Sequence, residues 1–134
     1  MLNDVDKKEL GSTNRQDLEE RLIDFGILII RVCEAMPRSQ AGSHLSGQLM
    51  RSGTAPALNY AEAKAAESHR DFTHKIKVVL KELRGSWVNL RMTEGARILP
   101  DRTQLRSALT ESCELVAIFT TAVKKAERRS PPRN

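Results

Sequence analysis

The side chains that could bind a metal or catalyse a reaction are few, and they match no known catalytic motif. The sequence has no Gly-rich phosphate loop, no His-Glu-x-x-His and no nucleophile elbow. His69 and His74 are five residues apart, about 140° on a helix, so they do not converge on one metal ion. Asp71 could share a face with His74, but two ligands do not make a metal site, and an ion pair is the expected role. We therefore predict no catalytic residue, no metal site and no cofactor.

Polar side chains around Pro56 form the most unusual constellation in the sequence. They are spaced mostly by three, four and seven residues, so on a helix they would form a ladder along one side. Such groups can satisfy carbonyls that a proline leaves without a donor, or can pair Arg51 with Glu62 across a helix or subunit boundary. A recognition site is the alternative. We predict a structural or interface role for this set, which comprises Gln48, Arg51, Ser52, Thr54, Asn59 and Glu62.

Basic side chains recur at three- and four-residue steps between residues 70 and 91, where the net charge is +4. They lie two residues from apolar positions, which places them about 200° away around a helix. The line contains no acid, so it could contact the phosphates of RNA or DNA. The alternative is a solvated helix face. The candidate nucleic-acid-binding residues are Arg70, Lys77, Lys81, Arg84 and Arg91, and His74 lies in the same line.

Caps and apolar periodicity divide the chain into four amphipathic helices that must position these groups. Short loops join the helices, so we predict an all-α fold, an antiparallel up-down-up-down four-helix bundle over residues 17–127. Residues 1–16 are predicted to be a flexible N-terminal segment and residues 128–134 a disordered basic tail. Aromatic residues make up only 4% of the chain, which disfavours β-sandwiches and leaves little for base stacking.

Individual residues predict the helix boundaries and one irregularity. Pro56 removes a backbone donor inside the second helix, so that helix is expected to be kinked or broken near Pro56. Ser68, with Asp71 three residues later, is expected to cap the third helix. Gly95 is expected to end the third helix in a left-handed conformation, and Asp101 to cap the fourth.

The two cysteines and the length of the apolar runs indicate the cellular compartment of the protein. Cys33 and Cys113 lack Cys-x-x-Cys spacing and lie in apolar runs, so we expect buried free thiols rather than a disulfide or a zinc site. The N-terminal residues lack the apolar segment of a signal peptide. The longest apolar stretch, residues 25–30, is too short to span a membrane. These features predict a cytoplasmic protein without a membrane partner.

The constellation around Pro56 resembles the second-helix motif of a known family. The runs Gln48–Thr54 (QLMRSGT) and Asn59–Ala63 (NYAEA) resemble the bacterial four helix bundle protein family. That family was first noticed as open reading frames inside intervening sequences of 23S ribosomal RNA genes. The resemblance extends over residues 18–126 and includes the small pair Gly85 and Ser86 in the third helix, so Ser86 joins the motif residues.

The resemblance implies a bundle that assembles as a ring, commonly a homopentamer. The sequence is similar also to the accessory variability determinants of diversity-generating retroelements, which are basic pentameric bundles that bind nucleic acid and a reverse transcriptase. It departs from the family at Pro56, which falls one position later in other relatives, and at Ala57, where many carry Gly. These departures bear on the geometry of the second helix.

The first helix agrees with ring assembly because it has more apolar surface than a lone bundle needs. A second stripe at Ile23, Ile27 and Ile30 lies beside its core stripe, and such surplus commonly marks a subunit interface. We therefore predict a non-enzymatic homo-oligomer, a pentamer by resemblance, that contacts the RNA or DNA backbone through its third helix. The alternative is a protein-interaction scaffold or accessory subunit that binds no nucleic acid. An enzyme would need a convergent polar pocket.

Overall fold

Four helices account for most of the residues 15–129 that the computed structural model describes, with side chains from residue 18 onward. They are α1 (Arg15–Ala35), α2 (Gln40–Lys64), α3 (His69–Ala96) and α4 (Thr103–Arg128). Each helix contacts the next along the chain, and α1 contacts α4. Short connections make consecutive helices antiparallel, so the predicted all-α four-helix bundle is confirmed. Most of the predicted N-terminal segment and tail, at residues 1–14 and 130–134, lies outside the described residues.

The core stripe of α1 fills the centre of the bundle, as its spacing predicts. Leu22, Phe25 and Ile29 are at most 1% exposed. Burying each such side chain stabilises the fold by about 1.5–3 kcal/mol. From the other helices, the rings of Tyr60 and Phe119 meet edge to face with their centroids 5.6 Å apart. This geometry adds about 0.5–1.5 kcal/mol to the burial of the two rings.

Helix α2 continues through Pro56 without interruption, so the helix is not broken there. The proline is buried, and packing against the core outweighs the loss of one backbone donor. Gly53, three residues before the proline, lies where α2 packs against α1. A Cβ on Gly53 would lie 2.5 Å from Cγ2 of Ile29, and one on Gly26 would lie 3.7 Å from the carbonyl oxygen of Gly53. These two glycines allow α1 and α2 to approach closely.

Helix α3 begins as predicted but ends two residues later than predicted. The hydroxyl of Ser68 accepts the backbone N–H of Asp71 at 3.0 Å. The chain leaves the helix at Arg97, whose φ of 52° is the left-handed conformation expected of Gly95. Leu99, only 4% exposed, packs into the core directly after this turn. The position of the turn therefore follows the burial of Leu99 rather than the position of the glycine.

Two polar contacts hold the start of α4. The carboxylate of Asp101 accepts the backbone N–H of Thr103 at 3.0 Å, although the helix itself begins after Arg102. This hydrogen bond, together with one to the Thr103 side chain, lowers the pKa of Asp101. The guanidinium of Arg102 donates to Glu94 at 2.9 Å and ties the connection to the end of α3.

The prediction that Cys113 is buried is wrong, because this residue lies on the exposed side of α4. Ser112 occupies the core instead, fully buried, and donates its hydroxyl to the carbonyl of Leu109 at 3.0 Å. That local bond satisfies the hydroxyl and makes a small polar residue acceptable in the core. Cys33 is buried as predicted, and its thiol donates to the carbonyl of Ser46 at 3.4 Å. Burial, assisted by the charge of Glu34, raises the pKa of Cys33 to about 11.

An ion pair joins α1 to α4. The guanidinium of Arg21 donates to both carboxylate oxygens of Glu111, at 2.6 and 3.1 Å. This two-point contact raises the pKa of Arg21. Both side chains are partly exposed, so the pair contributes on the order of 1 kcal/mol or less.

Candidate binding surfaces

The predicted nucleic-acid-binding residues all lie on the exposed side of α3. We call them, with His74, the basic face: Arg70, His74, Lys77, Lys81, Arg84 and Arg91. The face is not free of acids, because α4 brings Glu127 to 2.8 Å from Lys77 Nζ. Arg91 stacks over the ring of Trp87 at 4.7 Å from the centroid, which fixes its position without neutralising it. Phosphate contact therefore requires Lys77 to exchange one exposed partner for another.

Besides Glu62, four of the predicted motif residues have side-chain hydrogen bonds within α2 or between α2 and α3, among them Thr54, whose hydroxyl donates to the carbonyl of Met50 at 2.7 Å. The hydroxyl of Ser86, fully buried, lies 3.0 Å from that of Ser52 and joins α3 to α2. The side chain of Asn59 donates to the carbonyl of Ala55 at 3.0 Å, within its own helix. Contacts of this kind are what the predicted structural role requires, and that role stays a prediction.

Within the single chain Glu62 does not pair with Arg51, and their pairing across a subunit boundary stays a prediction. The carboxylate of Glu62 lies 2.8 Å from Lys75 Nζ instead. This contact raises the pKa of Lys75, chiefly through the hydrogen bond to Glu62. Glu62 and Arg51 are eleven residues apart on one helix, whereas the antiparallel start of α3 brings Lys75 directly to Glu62.

The remaining motif residues, Gln48 and Arg51, open onto a groove between α2 and α3. The groove has a volume of about 430 Å³, within the range of small binding clefts. Gly85 leaves its wall open, since a Cβ there would meet no atom within 4 Å. The lining residues are Gln48, Arg51, Ser52, Arg84, Gly85, Val88, Asn89 and Met92.

The groove combines unpaired positive charge with exposed apolar surface. Among residues 18–129, no carboxylate lies within ion-pair distance of Arg51 or Arg84. Val88 is 45% exposed and Met92 is 51% exposed. These two apolar residues are not among the predicted site residues. The sequence does indicate them in one way. Val88 and Met92 follow Arg84 at steps of four residues, outside the core stripe of α3, so the three side chains lie on one face of the helix.

A second exposed apolar surface covers α1 and part of α2. Ile23, Ile27 and Ile30 are 39%, 44% and 40% exposed, so the predicted second stripe remains uncovered in the single chain. Leu58 on α2 is 65% exposed. Gly26 on α1 and Gly53 on α2 lie opposite each other, and the two helices are antiparallel. Measured along the bundle axis, Leu58 therefore lies within about one helical turn of Ile23. We call these four residues the α1 face.

A larger cleft of about 490 Å³ lies at the other end of the bundle, and two of the polar groups that line it, His69 and Lys64, already have partners. His69 Nε2 is 2.8 Å from the carbonyl oxygen of Ala126, and Lys64 is 2.9 Å from Glu19. The described part of the chain holds no cluster of three or more His, Cys, Asp or Glu residues suited to a metal ion. Within that part, no helix has the length and hydrophobicity needed to cross a membrane.

Taken together, the fold and the surfaces define a small four-helix bundle distinguished by exposed surfaces rather than by an enclosed pocket. It is similar to the crystal structure of a protein with unknown function from the S23 ribosomal protein family of Bacteroides thetaiotaomicron. The two share 24% sequence identity over 82% of this chain and 97% of that chain, with a TM-score of 0.73. At this identity the similarity establishes the fold alone. No family model and no curated protein matches the chain.

Proposed function

We propose that this chain is a non-enzymatic, homo-oligomeric, cytoplasmic bundle protein that binds the backbone of RNA or DNA through the basic face. The observation that carries the proposal is the basic face itself. Its members are exposed along one side of a 28-residue helix, and Lys77 is the member with an ion pair among the described residues. Cations one helical turn apart can follow successive phosphates.

The likeness to a member of the S23 ribosomal protein family supports the same proposal. It agrees with the second-helix motif, which resembles proteins encoded within 23S ribosomal RNA genes. We propose that the chain belongs with that family and, like its pentameric relatives, forms a ring. The α1 face supports oligomerisation because it exposes four large apolar side chains, and large apolar patches on a protein surface commonly mark interaction sites.

The basic face sets the expected mode of nucleic-acid binding. Five Lys and Arg side chains that each neutralise one phosphate give a slope of about −3.5 to −4.5 in log affinity against log salt concentration. The described surface offers few aromatic side chains, so we expect weak sequence preference. Binding should therefore be governed by salt rather than by base sequence.

Charge reversal at one exposed position tests this proposal. Lys81→Glu is expected to weaken binding of a fluorescently labelled single-stranded RNA and to make the salt slope shallower by about 1 or more. The matched control, Arg38→Glu, changes the net charge equally but lies in the connection between α1 and α2. An equal loss in both variants, or no binding by the unchanged protein at low salt, would contradict the proposal. The protein-interaction scaffold would then be the better description.

A further inference from the structure

The α1 face is bordered by acidic side chains. Glu20 and Asp24 are exposed, and each precedes an isoleucine of the face by three residues, a spacing that makes helix neighbours. Glu34 is exposed and follows Ile30 by four residues. Among residues 18–35, Arg31 is the exposed cation, so the part of the border described on α1 has a net negative charge.

The groove between α2 and α3 has the opposite character. Its apolar wall, formed by Val88 and Met92, is bordered by Arg51 and Arg84, and no acidic residue lines it. Both arginines lack a carboxylate partner within residues 18–129. A surface that carries exposed isoleucines within an acidic border is therefore complementary to this groove in both hydrophobicity and charge.

The two surfaces occupy neighbouring sides of the bundle. Helix α2 contacts both α1 and α3, whereas α1 and α3 do not contact each other. The α1 face therefore lies on the α1–α2 side and the groove on the α2–α3 side. Repeated contacts between two different surfaces build a ring when the surfaces are set at an angle, and an open filament when the geometry does not close. Surfaces on neighbouring sides meet the condition for a ring.

We propose that the α1 face of one copy docks into the α2–α3 groove of the next copy, in a head-to-tail contact that closes into a ring. This inference rests on the homo-oligomeric part of the proposed function and names the two surfaces that meet. Ile27 and its neighbours cover Val88 and Met92, while the acids beside α1 approach Arg51 and Arg84. Arg70, Lys77, Lys81 and Arg91 do not line the groove and remain accessible to phosphates, whereas Arg84 joins the subunit contact, so the ring retains four of the five phosphate contacts.

Two exposed substitutions of opposite charge test the contact. Ile27→Arg places a cation opposite the arginines of the groove, and Val88→Asp places an anion opposite the acids of the α1 face. Each single variant is expected to raise the dissociation constant for subunit assembly by about 30-fold or more, as measured by light scattering over a concentration series. The double variant in one chain is expected to recover assembly, because every contact then joins the introduced cation of one copy to the introduced anion of the next.

Mixing the two single variants gives the sharpest outcome. A head-to-tail contact predicts that the mixture assembles beyond two chains although neither single variant does, because the intact groove of one variant meets the intact α1 face of the other and the introduced cation meets the introduced anion. Thr121→Asp, on the exposed side of α4, is the matched control and should assemble like the unchanged protein. Circular dichroism verifies that each variant keeps its helices.

Three results would overturn the inference. An oligomer that survives Val88→Asp but not Ile27→Arg indicates that two α1 faces pair with each other, and leaves the homo-oligomer itself intact. An oligomer that survives both substitutions uses other surfaces. A monomeric unchanged protein at all concentrations removes the homo-oligomer from the proposed function as well. Nucleic-acid binding through Lys81 is measured separately, so its loss does not affect these outcomes.

Discussion

Replacing Gly53 with alanine is expected to destabilise the protein, although alanine is the better helix former. The new Cβ would lie 2.5 Å from Cγ2, 2.7 Å from Cγ1 and 2.9 Å from Cβ of Ile29. Ile29 is fully buried, and its branched side chain has one strongly preferred rotamer in a helix. It cannot turn aside, so the substitution must push α1 away from α2.

The size of the effect follows from two opposing terms. Alanine in place of glycine in a helix gains about 1 kcal/mol of stability. Overpacking a core costs about 1–3 kcal/mol, and contact with three atoms of a stiff residue places Gly53→Ala at the upper end. The net loss is therefore about 2 kcal/mol. The matched control is Gly47→Ala in the same helix, where a Cβ would meet no atom within 4 Å and the gain should be up to about 1 kcal/mol.

Urea unfolding followed by far-ultraviolet circular dichroism measures both variants at one protein concentration. The midpoint should fall for Gly53→Ala and rise for Gly47→Ala with an unchanged slope. Removing the obstructing side chain with Ile29→Ala should make Gly53→Ala less costly, which appears as a coupling of about 1–2 kcal/mol in a double-mutant cycle. If Gly53→Ala stabilises the protein as much as Gly47→Ala does, the close approach of α1 and α2 is refuted.

Three further predictions address the thiols, the end of α3 and the start of α4. Iodoacetamide at pH 8 should alkylate the exposed Cys113 rapidly, and the buried Cys33, whose pKa is about 11, only after unfolding. Mass spectrometry of digested protein distinguishes the two sites. Equal rates of alkylation would contradict the difference in burial. Arg97→Gly should raise the free energy of unfolding by about 0.5–1 kcal/mol in urea, because glycine adopts a φ of 52° without strain; a lower stability would argue against a left-handed cap. The hydrogen bonds to Thr103 lower the pKa of Asp101 in the folded state. The ionised carboxylate therefore stabilises the protein at a pH above the usual carboxyl pKa. This stabilisation is lost as the pH falls through the lowered pKa. Asp101→Asn should therefore show a weaker loss of stability on acidification than the unchanged protein, and an identical pH profile would contradict this assignment.

The helix count and the core of α1 could be predicted because they depend on local spacing. Three- and four-residue steps in hydrophobicity placed Leu22, Phe25 and Ile29 on one buried face. The side-chain cap by Ser68 is equally local, since the hydroxyl needs only the N–H three residues ahead. These features follow from the chain itself, whatever surrounds them.

The buried face of α4 and the end of α3 depended on the rest of the molecule. Cys113 is more apolar than Ser112, so the sequence favoured Cys113 for the core, but a local hydrogen bond makes Ser112 acceptable there. Gly95 could have ended α3, yet the burial of Leu99 sets the turn at Arg97. In both cases tertiary packing outweighed local preference.

The candidate binding surfaces were only partly predictable for the same reason. The basic face follows from spacing along α3, whereas Glu127 reaches Lys77 only because α4 packs alongside. The groove joins Arg51 on α2 to Arg84 on α3, and its existence depends on how the two helices pack. Sequence spacing identified the members of one helix face but not the surfaces shared by two helices.

Light scattering of the purified protein, with and without single-stranded RNA at about 50 and 200 mM salt, tests the central claim most directly. The proposed function, a homo-oligomer that binds nucleic acid, predicts a mass that is a multiple of 15.0 kDa at both salt concentrations. It also predicts a complex with RNA whose affinity falls about 50- to 150-fold between the two concentrations when four side chains contact phosphates, and about 130- to 500-fold when all five do. A protein of 15.0 kDa that forms no complex with RNA at the lower salt concentration would contradict it.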